Sequence, residues 1–246
     1  MKNDGKRVML ITGAAGGIGR STLHLFAEKG WLVIGVDRSA FNGNFPDSGL
    51  FIQADISDPA QLTAIYDQVS RFTNTLDAVI NNAALQIVKP LLDTSVEEWD
   101  AVMASNLRSV FLGAKLSYPL LKNHGGGAIV NVSSVHALAT SPNVGSYAAS
   151  KGGLLALTRS MAIEFAKDHI RVNAILPGAV DTPMLSAHLD QARLENLARK
   201  TVNGRIGKPL ELAHAIYFLA DEEQSSFMTG QSIIVDGGAT AKLSTE

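Results

Sequence analysis

Short runs of apolar, β-branched residues alternate along this chain with segments of helical spacing, and few folds accept that alternation. The runs are Val8–Thr12, Trp31–Val36, Leu50–Gln53, Leu76–Ile80, Gly127–Val132, Ile170–Ile175 and Ser232–Val235. Helical spacing falls between them over Gly19–Lys29, Pro59–Phe72, Val96–His124 (with a boundary inside it) and Ala148–Lys167. In the first of these segments Leu23, Phe26 and Ala27 share one side, and Gly30 is a natural stop. Strands that are apolar throughout are buried on both faces. Each is followed by an amphipathic helix, so the expected fold is α/β: a doubly wound parallel sheet of about seven strands with helices on both faces. The crossovers should be right-handed.

At 246 residues the chain is long enough to bury a sizeable core without staples. No stretch reads as a linker, so residues 1–246 are expected to form one domain. Phe41–Gly49, rich in Gly, Asn, Pro and Ser, reads as a loop. The least regular region is 180–207, polar and mixed, with helix-compatible patches at Leu185–Leu189 and Leu194–Ala198. In a protein with a small-molecule site such an excursion is a natural lid. Ala241–Glu246 reads as a tail.

Composition removes several function classes. There are no cysteines, which excludes a disulfide framework, a thiolate metal site and a cysteine nucleophile. No ligand spacing among His, Asp and Glu suggests a metal site. A net charge of −2 supplies no basic field for nucleic acid or an anionic membrane. Lys2, Asp4, Lys6 and Arg7 precede only the run Val8–Ile11, too short for a signal-peptide core or a membrane span. The expectation is a cytoplasmic protein with a small-molecule partner.

Thr12-Gly13-Ala14-Ala15-Gly16-Gly17-Ile18-Gly19 ends the first strand and opens the first helix. Small residues let the backbone approach a ligand, and a helix N-terminus offers free N–H groups to a phosphate. The spacing is TGxxxGxG rather than the commoner GxGxxG of dinucleotide loops. Asp37 ends the second strand, where a carboxylate can accept hydrogen bonds from both hydroxyls of an adenosine ribose. It repels a 2′-phosphate and so favours NAD over NADP. Arg38, directly after it, leaves NADP open, because a guanidinium accepts that phosphate. Asp55 and Ile56 end the third strand, where an adenine edge would lie.

Tyr147-Ala148-Ala149-Ser150-Lys151 sets a phenol and an ammonium group four residues apart, on one face of a helix. A phenol with its ordinary pKa of about 10 is a poor base at neutral pH. An adjacent ammonium group stabilises the phenolate, and the pair becomes a general acid/base for an alcohol or carbonyl. Ser133 and Ser134 end the fifth strand, on the edge that faces the ligand crevice of a parallel sheet.

Together these motifs resemble the short-chain dehydrogenase/reductases of the compact, single-domain type, over nearly the whole chain. Thr12–Gly19 resembles the family's cofactor loop, and Asn81-Asn82-Ala83-Ala84 its NNAG segment, with alanine in place of the last glycine. Asn106 occupies the family's asparagine position, and Ser134, Tyr147 and Lys151 its Ser…Tyr-x-x-x-Lys set; the family spacing selects Ser134 over Ser133. Pro177-Gly178-Ala179-Val180-Asp181-Thr182 resembles the PG-x-V-x-T segment. Gly204–Pro209 and Val235–Gly238 resemble C-terminal signatures.

The resemblance implies a Rossmann-type fold and hydride transfer between NAD(H) and a secondary alcohol or ketone. Tyr147 would accept the alcohol proton, Lys151 would lower the tyrosine pKa and bind the nicotinamide ribose, and Ser134 would orient the substrate oxygen. Asn106 would hold a water that links Lys151 to solvent. Gly13, Ala15, Gly17, Gly19, Ala83, Pro177 and Gly178 would border the cofactor. Ile18 would lie under the nicotinamide, Asn82 would line the adenosine or ribose side, and Val180 and Thr182 would meet the carboxamide or a phosphate. A homotetramer through Val96–His124, Ala148–Lys167 and the last strand is implied as well.

His136, two residues after Ser134, is a candidate to bind a sugar or polyol hydroxyl, and Gln86 and Asn143 are further polar candidates for that pocket. Met184, Leu185 and Leu189 would give the lid an apolar inner face. Two alternatives stay open from the residues alone: an NADP-dependent 3-oxoacyl reductase, and a non-catalytic dinucleotide-binding protein.

Overall fold

A computed structural model describes residues 5–186 and 190–242. Its strands are β1 (Val8–Thr12), β2 (Leu32–Asp37), β3 (Leu50–Gln53), β4 (Ala78–Asn81), β5 (Gly127–Val132), β6 (Ile170–Pro177) and β7 (Ser232–Val235). They form one parallel sheet in the order β3-β2-β1-β4-β5-β6-β7. The helices are α1 (Gly17–Glu28), α2 (Pro59–Phe72), α3 (Val96–Met103), α4 (Ser109–His124), α5 (Gly145–Phe165), α6 (Pro183–Ser186), α7 (Gln191–Lys200), α8 (Pro209–Ala220) and α9 (Glu222–Ser225). The doubly wound α/β/α sandwich is the Rossmann-type architecture expected.

Alternate side chains of each strand feed the two cores. Val8 and Leu10 of β1 pack with Leu62 and Ile65 of α2, Val110 of α4 and Leu154 of α5. Met9 and Ile11 of the same strand face the other way, onto Leu23 and Phe26 of α1 and Leu212 and Ile216 of α8. Strand order reverses between β1 and β4, and a crevice opens beyond the strand C-termini at such a point.

Several bounds differ from the sequence reading for local reasons. Trp31 is outside β2 because its N–H donates to the carbonyl of Phe26 at the end of α1. Leu76 precedes β4 because its N–H donates to Leu120. Next to it, the Asp77 carboxylate takes the N–H of Val8 at 2.7 Å. The long segment Val96–His124 is interrupted by a π-helical turn at Ala104–Arg108. Such turns cluster at functional sites, and this one carries Asn106.

Helix α8 was not anticipated. Its sequence, PLELAHAIYFLA, is apolar nearly all round, so it lacks the polar stripe that marks an amphipathic helix. Two start signals were nonetheless present: Pro209 in the first turn, and Glu211, whose carboxylate accepts the N–H of Lys208 at 2.7 Å. Arg171 of β6 closes the other end, donating to the carbonyls of Leu219 at 2.9 Å and Ala220 at 3.3 Å. The lid patches are α6 and α7; Leu189, expected on the lid's inner face, lies outside the described residues, as do Lys2 and Asp4.

A buried polar chain ties the middle of the sheet to α5. The Asn81 amide donates to Asn131 at 2.8 Å, the Asn131 amide to Thr158 at 2.8 Å, and Thr158 to the Leu154 carbonyl at 2.7 Å. Each of these buried groups is thereby satisfied, as burial requires.

Candidate active site

A cavity of about 770 Å³ opens at the C-terminal edge of the sheet. It runs from the glycine loop, Asp37, Arg38, Asp55 and Ile56 to Ser134, His136, Tyr147 and Lys151, and α6 and α7 border it. Its size is in the range of small-molecule and cofactor sites.

The glycine loop is shaped by close approaches. Gly13 has φ +69°, and a Cβ there would meet the Asn82 amide nitrogen at 2.7 Å. A Cβ on Gly17 would meet the Thr182 methyl at 2.8 Å, and one on Gly19 would collide with the Gly13 carbonyl. Gly16 caps α1 without any side-chain hydrogen bond, so the first N–H groups of the helix stay open toward the cavity. Asn82 braces the loop: its amide donates to the carbonyls of Thr12 at 3.0 Å and Gly13 at 3.1 Å. Ala84 has no left-handed backbone to relieve, so the alanine at this glycine position is unstrained.

Asp37 ends β2 with its carboxylate on the cavity. One oxygen accepts the Ala15 N–H and the other the Ser39 N–H, each at 2.9 Å. Ala15 thus acts on the site through Asp37 and is not part of the cavity wall, whereas the other expected cofactor residues, Gly13, Gly17, Ile18, Gly19, Asn82, Ala83, Pro177, Gly178, Val180 and Thr182 among them, do line it. These features suit a dinucleotide: close-approach glycines, open N–H groups for a pyrophosphate and a carboxylate for a ribose.

At the other end the two adjacent serines have different tasks. Ser133 Oγ donates to the Lys151 carbonyl at 2.9 Å and so is occupied inside the fold. Ser134 Oγ accepts the His136 N–H at 3.2 Å and is hydrogen-bonded to the Tyr147 phenol. The Lys151 ammonium donates to the Val132 carbonyl at 2.7 Å and lies 5.6 Å from the centre of the Tyr147 ring.

Burial decides the protonation chemistry here. Desolvation pushes the Tyr147 phenol up, and the Ser134 hydrogen bond only partly offsets it. Desolvation also pulls Lys151 down to about 7. Desolvation thus moves both groups toward neutrality, and against it the lowering expected from Lys151 is not the larger effect.

Asn106 is 1% exposed and fully engaged as a donor. Its amide donates to the Leu85 carbonyl at 2.9 Å and to Ser150 Oγ at 3.0 Å, while its oxygen accepts the Leu85 N–H at 2.7 Å. Both amide hydrogens are occupied, so the side chain braces the site and has no hydrogen to offer the expected water. Ser150, inside the Tyr147…Lys151 motif, is the partner that the sequence reading overlooked.

His136 and Gln86 line the cavity. The imidazole stands edge-on to Tyr147, ring centres 5.9 Å apart, with Nδ1 3.0 Å from Thr140 Oγ1. Burial pulls its pKa down. Asn143 does not join them: it is exposed with φ +69°, its carbonyl accepts the Lys89 N–H at 2.7 Å, and it is absent from the cavity wall. The left-handed turn that suits asparagine points it away. Leu197 and Lys200, three residues apart on α7, and Thr201, which follows that helix, were missed.

Residues 13–240 match the family described as enoyl-(acyl carrier protein) reductase. The chain is 40% identical to the 3-oxoacyl-(acyl-carrier-protein) reductase of Thermotoga maritima, over 97% of this chain and 99% of that protein. It is 36% identical to cyclopentanol dehydrogenase of Comamonas sp., over 96% and 97%. It is 34% identical to the NADP-dependent (R)-specific alcohol dehydrogenase of Lentilactobacillus kefiri, over 96% and 97%. Among solved structures, ligand-free aldohexose dehydrogenase of Thermoplasma acidophilum superposes with a TM-score of 0.91 at 29% identity, covering 98% of this chain and 96% of that one.

Proposed function

The chain belongs to the short-chain dehydrogenase/reductase family, as an oxidoreductase of alcohols and ketones that takes NAD(P), and from that premise we propose that it prefers NAD and acts through Ser134, Tyr147 and Lys151. The observation that carries the reading is the meeting of those three side chains, at the strand C-termini, in one cavity with the glycine loop and Asp37.

The dinucleotide, when bound, supplies the hydride acceptor or donor. Gly13, Gly17, Gly19 and the open N–H groups of α1 would hold its pyrophosphate, Asp37 its adenosine ribose, and Asp55 and Ile56 its adenine edge. Asn82, Ala83, Pro177, Gly178, Val180 and Thr182 would complete the wall, with Ile18 beneath the reacting ring. Ser134 Oγ hydrogen-bonds the substrate oxygen. In oxidation Tyr147 Oη takes the proton of the substrate hydroxyl; in reduction it returns that proton. Lys151 keeps a second exchangeable proton beside the buried phenol. Asn106 holds Leu85 and Ser150 in place around them. His136 and Gln86 offer hydrogen bonds to a second oxygen, which supports a sugar or polyol substrate.

Arg38 favours the second reading, an NADP-dependent 3-oxoacyl reductase, because it is exposed and lines the cavity beside Asp37. One experiment separates the two. Secondary alcohols, sugars, steroids and ketones are screened at the reduced-nicotinamide absorbance with each cofactor, for the wild type and Asp37→Ala. The wild type should favour NAD in kcat/KM. The variant should shift the NADP/NAD ratio upward by roughly tenfold or more, the size of a lost pair of charge-assisted hydrogen bonds and a relieved repulsion. A wild type that prefers NADP would overturn the cofactor assignment.

We propose further that residues 1–246 work as one cytoplasmic domain with 180–207 as its substrate lid, a setting that suits a cysteine-free chain. No described helix is long and apolar enough to cross a membrane. A homotetramer is supported by apolar side chains left exposed on the expected contact elements, Phe111 on α4, Ile163 on α5 and Ile234 on β7. Sedimentation velocity should give four times the chain mass; a monomer would remove this assignment.

A further inference from the structure

The cavity has two ends of unlike charge. Its carboxylates, Asp37 and Asp55, both follow strands at one end, and both are occupied by backbone N–H groups. Among the described residues no other Asp or Glu lines the wall. Away from that end the lining cations are Lys151, buried and bonded to Val132, and Lys200. Lys200 is exposed on the last turn of α7, and among the described residues its ammonium group makes no ion pair. Met184, Leu185 and Leu197, which line the cavity from the same two helices, α6 and α7, are apolar. A cavity wall that carries a cation without a counter-charge is complementary to a ligand that brings one.

We infer that Lys200 binds an oxyanion on the substrate, so that the substrate is an alcohol or ketone carrying a carboxylate, phosphate or sulfonate away from its reacting carbon. The inference rests on the reading that this cavity oxidises alcohols and reduces ketones. Lys200 acts as a specificity-determining residue at the lid and takes no part in proton transfer.

The test uses 4-oxocyclohexanecarboxylate and its methyl ester as paired substrates for the full-length wild type, Lys200→Gln and Lys200→Glu. The wild type should favour the acid about tenfold in kcat/KM, mostly through KM, as a hydrogen bond to a charged group requires. The preference should vanish in Lys200→Gln and reverse in Lys200→Glu. It should also flatten in 1 M salt, where the screening length is about 3 Å. The corresponding sulfonate and phosphate ester show which oxyanion is preferred. Cofactor affinity, read by fluorescence titration, should be unchanged. Equal losses for acid and ester would mean that Lys200 serves only the C-terminal end of α7, and a weakened cofactor would place it on the pyrophosphate; either result overturns the inference. If the wild type reduces no ketone, the functional reading fails on its own. Calorimetry with cyclohexanecarboxylate and cyclohexanecarboxamide then decides Lys200 separately. Carboxylate binding that Lys200→Gln abolishes would uphold it; equal binding of the two would reject it.

Discussion

Tyr147→Phe should reduce kcat by about 10²–10⁴-fold, the range for loss of a positioned general acid/base, while the cofactor still binds. The ring stays and only the oxygen leaves, so packing around the buried side chain is kept. The glycine loop and Asp37, which hold the other half of the cavity, are untouched. Stopped-flow turnover and a fluorescence titration with reduced cofactor give the two readings. Unchanged turnover would remove Tyr147 from the mechanism, and loss of both turnover and binding would make it structural. The wild-type pH profile carries a linked signature. Burial raises the phenol pKa, so the base form needed for oxidation should accumulate toward alkaline pH. Reduction, which uses the protonated phenol, should persist at neutral pH.

Lys151→Met should abolish efficient turnover and yet stabilise the cofactor-free protein by about 1–4 kcal/mol at pH 7 and below, the range seen when buried charges are replaced by apolar groups. Lys151 is 2% exposed, and desolvation lowers its pKa from 10.5 to about 7. Below pH 7 folded and unfolded chains both carry the proton, and the full penalty of burying the ammonium group falls on the folded state. Between about 7 and 10.5 the unfolded chain keeps a proton that the folded chain has released, so wild-type stability rises with pH in that window. The gain from methionine should accordingly be largest at pH 6–7 and fade as pH approaches 10. The lost hydrogen bond to Val132 offsets about 1 kcal/mol of it. Thermal unfolding from pH 6 to 10 measures this. A variant less stable than wild type at every pH would show that the ammonium group is held as a satisfied charge.

Much of the fold was legible because its strands are apolar on both faces. β1, β3, β5 and β7 and helix α2 have the expected bounds, since Gly, Pro or a side-chain cap punctuates them. Elements defined by tertiary contact were not readable in this way. The π-turn at Asn106 leaves no periodic mark, and α8 is too uniformly apolar to show a stripe. At the site, the order of Ser134, Tyr147 and Lys151 could be read from spacing. Which way Asn143 faces could not, because it depends on one left-handed residue held by Lys89. The burial that raises the Tyr147 phenol was not readable either. Sequence separation announces a neighbouring charge and says nothing of how dry the space between two groups is.

Lys151 is fastened at both of its ends to the close of β5 and the residue after it: its ammonium donates to Val132, and its carbonyl accepts from Ser133. Lys151 is therefore anchored to the central sheet, while α6, α7 and the loop carrying His136 border the rest of the cavity. A substitution on the cavity side of α6 or α7 is expected to alter what the cavity accepts while leaving both anchors of Lys151 in place. The least conspicuous serine in the chain, buried Ser133, is one of those two anchors.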